Sequence, residues 1–271
     1  MWFRVFLIAG GLSAFAGCDC NGNGFPADAR VIDAPAERGT VSLAWSLTDL
    51  TGRAITCDDV GAGFVSLELR RQASLQGAVA SFTCANSPST SQPIEVGTYE
   101  VRFELRGQGL TPVTAPPQNS IVISKDQNTA LTPVTFAIDT NGQLVLALVA
   151  PPFTSNCKPG SMQGAGITNN TITLTRAGGG CAPVTFVRTR GATPIDTYVV
   201  NCSSPRIATC IENDETLTVQ SMPSGPYQIH VRGKLGAADC WVNDDSLQVP
   251  AQGKARTETL NLAFQSGAPG C

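Results

Sequence analysis

Apolar and polar residues alternate along much of this chain with a period of two. The pattern is clearest in Gly97–Gly107, GTYEVRFELRG. There Tyr99, Val101, Phe103 and Leu105 point one way, and Thr98, Glu100, Arg102, Glu104 and Arg106 point the other. A later stretch, Gly225–Gly233, GPYQIHVRG, has the same plan: Tyr227, Ile229 and Val231 oppose Gln228, His230 and Arg232. Both open on Gly-x-Tyr and reach Arg-Gly. Such alternation marks a strand with one buried and one wet face, so each stretch is predicted to be the central strand of its own β-sandwich.

The flanking segments repeat in order around these two strands. In the first half Val41, Leu43, Trp45 and Leu47 alternate with Ser42, Ala44 and Ser46, and Gly61-Ala62-Gly63 leads into Val65, Leu67 and Leu69. Cys57 falls in the loop between them, Val79–Cys84 reads as a short strand, and the run from Gly107 through Pro116-Pro117 reads as a proline-broken loop. Ile121 and Ile123, then Val134, Phe136 and Ile138, complete the set. In the second half Leu144, Leu146 and Leu148 answer the first strand, and Gly164-Ala165-Gly166 answers the glycine pair. Ile172, Leu174 and Arg176 answer Leu67, Leu69 and Arg70, and Val199–Cys202 answers Phe82–Cys84. Leu247 and Val249, then Leu260, Leu262 and Phe264, close the copy. The spacing between matching features widens along the chain, which places loop insertions near Gly178–Arg190 and Ser203–Glu215. An ordered recurrence of this kind points to tandem duplication. The fold class expected is all-β, with sandwiches over residues 39–139 and 142–264 and a tail over 265–271.

Composition narrows the setting. Of the 271 residues 14% are charged and the formal net charge is −3, against roughly 25% charged in ordinary soluble domains. No basic stripe is present to displace counterions from a phosphate backbone, which excludes nucleic acid as a partner. Ten cysteines without Cys-x-x-Cys spacing point to an oxidising compartment.

The N-terminus fits export. Arg4 precedes the apolar Val5–Leu12, a run too short to span a bilayer, and residues 1–17 read as a signal peptide. Phe15-Ala16-Gly17-Cys18 resembles a bacterial lipobox, with Phe15 where an aliphatic residue is usual. That resemblance implies a lipid on Cys18 and a membrane as partner, with several buried acyl chains giving a firm anchor. The alternative is an ordinary signal peptide cut near Ala14 or Ala16, leaving Cys18 free for a disulfide. Residues 18–38 are rich in Gly, Pro, Ala and Asp and read as a flexible tether.

The order of strands and glycines resembles the transthyretin-like or carboxypeptidase regulatory-like sandwich. It is also similar to collagen-adhesin B-type and other Ig-like bacterial surface modules. The resemblance implies a module that binds, spaces or braces, with a protein or glycan ligand, rather than one particular chemistry.

The repeat pairs Cys57 with Cys84 and, by correspondence, Cys157 with Cys202. Cys181 and Cys210 both fall in the insertions and are paired on that ground. Cys240 and Cys271 would tie the tail to the loop after the second Gly-x-Tyr strand, and Cys20 is left over in the tether.

Candidate chemistry is sparse. His230 is the one histidine and lies on the solvent face of its strand, so no Ser-His-Asp or Cys-His arrangement is expected, and no catalytic site is assigned. Glu212, Asp214 and Glu215, or the pair Asp244-Asp245, could offer carboxylate oxygens to calcium. Trp241, beside Cys240, is the candidate aromatic platform for a sugar. Gly178-Gly179-Gly180 is not followed by the lysine a phosphate loop needs and reads as a hairpin tip. No cofactor and no metal site are expected. The sequence reading is therefore a membrane-anchored envelope lipoprotein acting as a non-enzymatic binding or structural module. Its alternative is a carbohydrate- or calcium-dependent binding protein that uses the inserted loops.

Overall fold

A computed structural model of the chain describes residues 36–72, 77–176 and 178–271. The signal-like segment, Cys18, Cys20 and nearly all of the expected tether lie outside the described residues. The tether's last residues are already in the fold: Glu37 O accepts Val96 N at 3.0 Å, and Arg38 opens the first strand.

The first half runs β1 (Arg38–Leu43), β2 (Trp45–Asp49), β3 (Ala54–Ile55), helix α1 (Cys57–Val60), β4 (Ala62–Arg71) and β5 (Gly77–Thr83). It continues through β6 (Ser89–Thr90), β7 (Ile94–Glu95), β8 (Gly97–Gly107), β9 (Val113–Ile123), β10 (Asn128–Ala130) and β11 (Val134–Ile138). The second half runs β12 (Asn141–Val149), β13 (Asn169–Arg176), β14 (Val184–Arg190), β15 (Thr193–Val200), β16 (Arg206–Ile207) and β17 (Glu215–Pro223). It ends with β18 (Gly225–Leu235), β19 (Ala238–Val249), β20 (Ala255–Asn261) and β21 (Ala263–Phe264).

The architecture is all-β. In each half an opening strand pairs in parallel with the closing one: β1 with β10 and β2 with β11 in the first, β12 with β20 in the second. The facing sheet is antiparallel, in the order β5-β4-β8-β9 in the first half and β16-β13-β18-β19-β21 in the second. Alternation sorts the side chains as the sequence implies. Tyr99, Val101, Phe103 and Leu105 are buried in one hydrophobic cluster, whereas Tyr227, Ile229 and Val231 are buried in another.

Three local expectations need correction. The latter part of the loop expected after Gly107 is strand: β9 begins at Val113, so Pro116 and Pro117 lie within it, at the edge of its sheet, where a missing N–H costs no ladder bond. Cys57 lies not in a loop but in α1, a single turn capped by Thr56, whose hydroxyl accepts Asp59 N while the Asp59 carboxylate accepts Thr56 N. The stretch expected to hold a first loop insertion forms a hairpin, β14–β15, whose register shifts between Arg188 and Thr189 and which joins β17 in the opening sheet. The counterpart by chain order, β5, stays with β4. Val199–Cys202 therefore does not occupy the place of Phe82–Cys84.

This crossing decides the disulfides. Cys57–Cys84 and Cys240–Cys271 pair as expected, but the other four cysteines pair as Cys157–Cys210 and Cys181–Cys202. Antiparallel β14 and β15 set Val184 opposite Val200, which returns Cys202 to Cys181. Cys157 meets Cys210 because the Asn156 side chain donates to both Leu148 O (2.7 Å) and Ile211 O (2.9 Å) and accepts Ala150 N (3.0 Å).

Residues Glu37–Cys271 form one compact unit. Within it the halves are fastened by polar contacts to main-chain groups. Ser224 Oγ donates to Asp59 O (2.5 Å), Gln248 Nε2 donates to Asp58 O (3.2 Å), and the Gln252 amide bonds both Thr111 N (2.7 Å) and Thr111 O (3.1 Å). Ala251, from the second half, is buried in the first half's cluster.

Candidate binding surface

The two Gly-x-Tyr strands open on the same side-chain arrangement. Register sets Arg71 opposite Tyr99 and Arg176 opposite Tyr227, so Arg71, not Arg70, is the true counterpart of Arg176. Tyr99 OH donates to Glu95 O at 2.8 Å and Tyr227 OH to Pro223 O at 2.7 Å, each four residues back. This is the geometry of the tyrosine corner of Ig-like sandwiches. Arg71 Nη2 donates to Val96 O at 2.5 Å, and Arg176 Nη2 donates to Ser224 O at 3.0 Å while its guanidinium sits 5.6 Å from the Tyr227 ring centroid. A glycine is needed between these groups. A Cβ at Gly97 would stand 2.8 Å from Arg71 Nε, and Gly225 adopts φ +127°. Burial raises the pKa of both phenols, so the hydroxyls stay protonated and keep donating.

A groove adjoins each corner. The first, of about 610 Å³, runs between β5 and the Thr90–Glu95 stretch, with Arg38, Arg71 and Val79 on its walls. The second, of about 660 Å³, opens where β14 leaves β17: the two pair from Val187 to Arg190 but diverge upstream. Val184, Val187, Met222 and Pro183 make that cleft largely apolar, with Arg176 and Tyr227 at one end. Sequence reasoning missed both, because a groove between sheet edges has no local pattern.

The residues singled out from sequence are mostly engaged internally. Trp241 is only 2% exposed, packs at 5.7 Å against Phe153 and 5.0 Å against Phe264, and donates Nε1 to Ala165 O at 3.2 Å. It is a core residue rather than a sugar platform. Its partner across the strands is Gly233, where a Cβ would come within 3.0 Å of the Trp241 Cβ. The acidic loop does not form a calcium site either. Glu215 is buried and takes Arg188 and Arg190, and Glu212 takes the Ser155 hydroxyl and Asn156 N. Asp214 alone of the three is exposed, 3.3 Å from Arg190. These carboxylates already have cationic or hydrogen-bonding partners and do not converge on a common point. Among the described residues no group of three or more His, Cys, Asp and Glu side chains could hold a metal. Arg188 and Arg190 were overlooked, although their i, i+2 spacing on one strand face was a legible sign of a shared anionic partner.

His230 sits on its strand's outer face with Nδ1 2.6 Å from Asp244 Oδ1, beside Arg232, whose Nη1 is 2.8 Å from the same oxygen. Hydrogen bonds accepted from Arg232 and then from His230 hold the Asp244 carboxyl below the usual range. Asp245 lies opposite Ile229 with its Oδ1 accepting Ser246 N at 2.7 Å. His230 and Arg232 thus share one carboxylate at the surface.

No family model matches the chain, and no curated protein does. Solved structures that align with this chain include the TIE protein of Bacillus anthracis, at 10% identity and a TM-score of 0.34, with 84% of this chain and 34% of that one covered. The shaft pilin SpaA of Lactobacillus rhamnosus GG aligns at 9% identity and a TM-score of 0.27, covering 84% of this chain and all of that one (100%). A streptococcal ancillary pilin aligns at 13% identity and a TM-score of 0.23, covering 83% and 62%. This chain spans only about a third of the TIE protein's length. No helix among the described residues is long and apolar enough to cross a membrane.

Proposed function

We propose that this chain is an exported, lipid-anchored protein of the bacterial envelope, a non-enzymatic module that spaces and braces while presenting a surface for a protein or glycan ligand. The observation that carries the reading is mechanical. Each sandwich is cross-linked, by Cys57–Cys84 in the first and by three disulfides in the second, and the two are joined through hydrogen bonds to main-chain atoms. Four disulfides are of use only outside a reducing cytoplasm. A fixed junction between two such units suits a protein whose task is to hold a surface in place.

The ligand surface assigned here is the apolar cleft between β14 and β17, which the insertion creates and the first sandwich does not share. Two measurements test the proposal. Intact mass of the protein from envelope should show a diacylglyceryl group on Cys18, lost in Cys18→Ser; an unmodified Cys18 thiol removes the anchor. Affinity purification from envelope with wild type and Val187→Asp should yield a ligand that the variant loses; identical profiles remove the cleft.

A further inference from the structure

β5 has one bare edge. It pairs with β4 along Gly77–Thr83, and among the described residues no strand pairs with its other side. The register fixes which groups face outward. Cys84 N donates to Gly63 O at 2.9 Å and Phe64 stands opposite Thr83, so Val65 with Phe82 and Leu67 with Ala80 exchange the hydrogen bonds inside the pair. The N–H and C=O groups of Val79 and Ser81 therefore point away from β4.

Several other edges of the molecule are blunted or short. β9 carries Pro116, Pro117 and register shifts; β15 carries Pro194 and Asp196; β20 carries Arg256 and Glu258; β16 and β21 are 2 residues each. β5, GAVASFT, has no charge, no proline and no bulge, and Val79 is 72% exposed. An edge of that kind is a template for another strand. The groove beside it leaves the approach open.

Charge placement sets the orientation in which a second copy fits. Arg38, Arg71 and Glu95 gather at the Gly77 end: Gly77 pairs with Arg70, Arg71 Nη1 is 3.5 Å from Glu95, and Glu95 pairs with Arg38. A second copy running antiparallel about a twofold axis at Ala80 sets this charged end against the other copy's uncharged Thr83 end. The arginines of the two copies then stay apart. Val79 opposes Ser81 of the second copy, with N–H···O=C bonds in both directions, and the two Ala80 methyl groups face each other. We infer that the chain forms a twofold dimer through β5, which joins two four-stranded sheets into one continuous sheet. This inference does not depend on the lipid anchor or on the ligand cleft.

The test is sedimentation velocity of the full chain in detergent over a wide range of concentration, alongside two variants. Wild type should pass from monomer to dimer. Ser81→Pro removes an outward N–H without touching a bond to β4, and by symmetry costs the dimer two hydrogen bonds, so its dissociation constant should rise about thirtyfold. Ala80→Cys should give a disulfide-linked dimer under mild oxidation, whereas Ser81→Cys, which faces Val79 rather than itself, should not. The cross-linking arm reads the same contact if Ser81→Pro disturbs folding. A chain that stays monomeric throughout, including one that captures a foreign strand instead, overturns the inference, as does a dimer that Ala80→Cys fails to link.

Discussion

Removing Glu215 tests how the second half of the chain holds the β14–β15 hairpin. The Glu215 side chain is 0% exposed, and its carboxylate receives Arg188 Nη2 at 2.5 Å, Arg188 Nε at 2.8 Å, Arg190 Nη2 at 2.7 Å and Glu212 N at 2.9 Å. Glu215→Leu deletes all four bonds and leaves Arg188, only 11% exposed, without its counter-ion. Taking one partner from a buried pair costs about 3–5 kcal/mol. The expected loss is about 3 kcal/mol, at the low end of that range, for two reasons. Arg188 keeps Tyr198 OH and Thr209 Oγ1, each at 3.2 Å, and Arg190 is half exposed, so its share is small. The companion Glu215→Leu/Arg188→Met removes both charges and should recover most of the loss, because two apolar side chains owe no desolvation. Urea unfolding followed by tryptophan fluorescence reads this directly, since Trp241 lies in the second cluster and Trp45 in the first. A single variant that loses less than about 1 kcal/mol, or a double variant no more stable than the single, refutes the view that an uncompensated arginine charge is the cost.

Four further outcomes are expected. Tyr99→Phe and Tyr227→Phe should each cost about 1 kcal/mol in urea unfolding, the worth of one hydrogen bond to a main-chain oxygen, and unchanged midpoints would deny the corners a stabilising role. Peptide mapping without reduction should recover Cys157 linked to Cys210 and Cys181 linked to Cys202, and a Cys157–Cys202 peptide would contradict the hairpin's crossing. In the chain-entropy account, opening Cys181–Cys202 should cost about 3 kcal/mol and opening Cys157–Cys210, which spans the longer loop, about 4 kcal/mol, so the reverse order in thermal or urea unfolding would point to strain instead. Acid should weaken the fold through Asp49 and Asp244, whose carboxyls lie below their ordinary values. The causes are the Thr51 hydroxyl and then Arg53 for Asp49, and Arg232 and then His230 for Asp244. A depressed folded-state carboxyl contributes stability that is complete above the unfolded-chain value of about 4 and is lost as pH falls through the folded value. Asp49→Asn should therefore flatten the decline of urea midpoints below about pH 4, and an unaltered slope would exclude Asp49 as a source.

What the sequence determined was local. The period of two in Gly97–Gly107 and Gly225–Gly233 specifies which side chains are buried, because neighbours on a strand must face opposite ways whatever lies across from them. Glycine before the tyrosine and the lone cysteine pair of the first half were legible for the same reason: each is set by short-range geometry or by the lack of alternatives. What tertiary structure decided was pairing between distant segments. Nothing near Val184 says that β14 will leave β13's sheet for β17, since an apolar strand satisfies either edge equally, and only the packing of both sheets selects one. That choice carried Cys202 to Cys181 and placed Glu215 under Arg188. Trp241 went the same way. A tryptophan beside a cysteine reads alike on a surface or in a core, and Gly233 on the facing strand supplied the room that buried it.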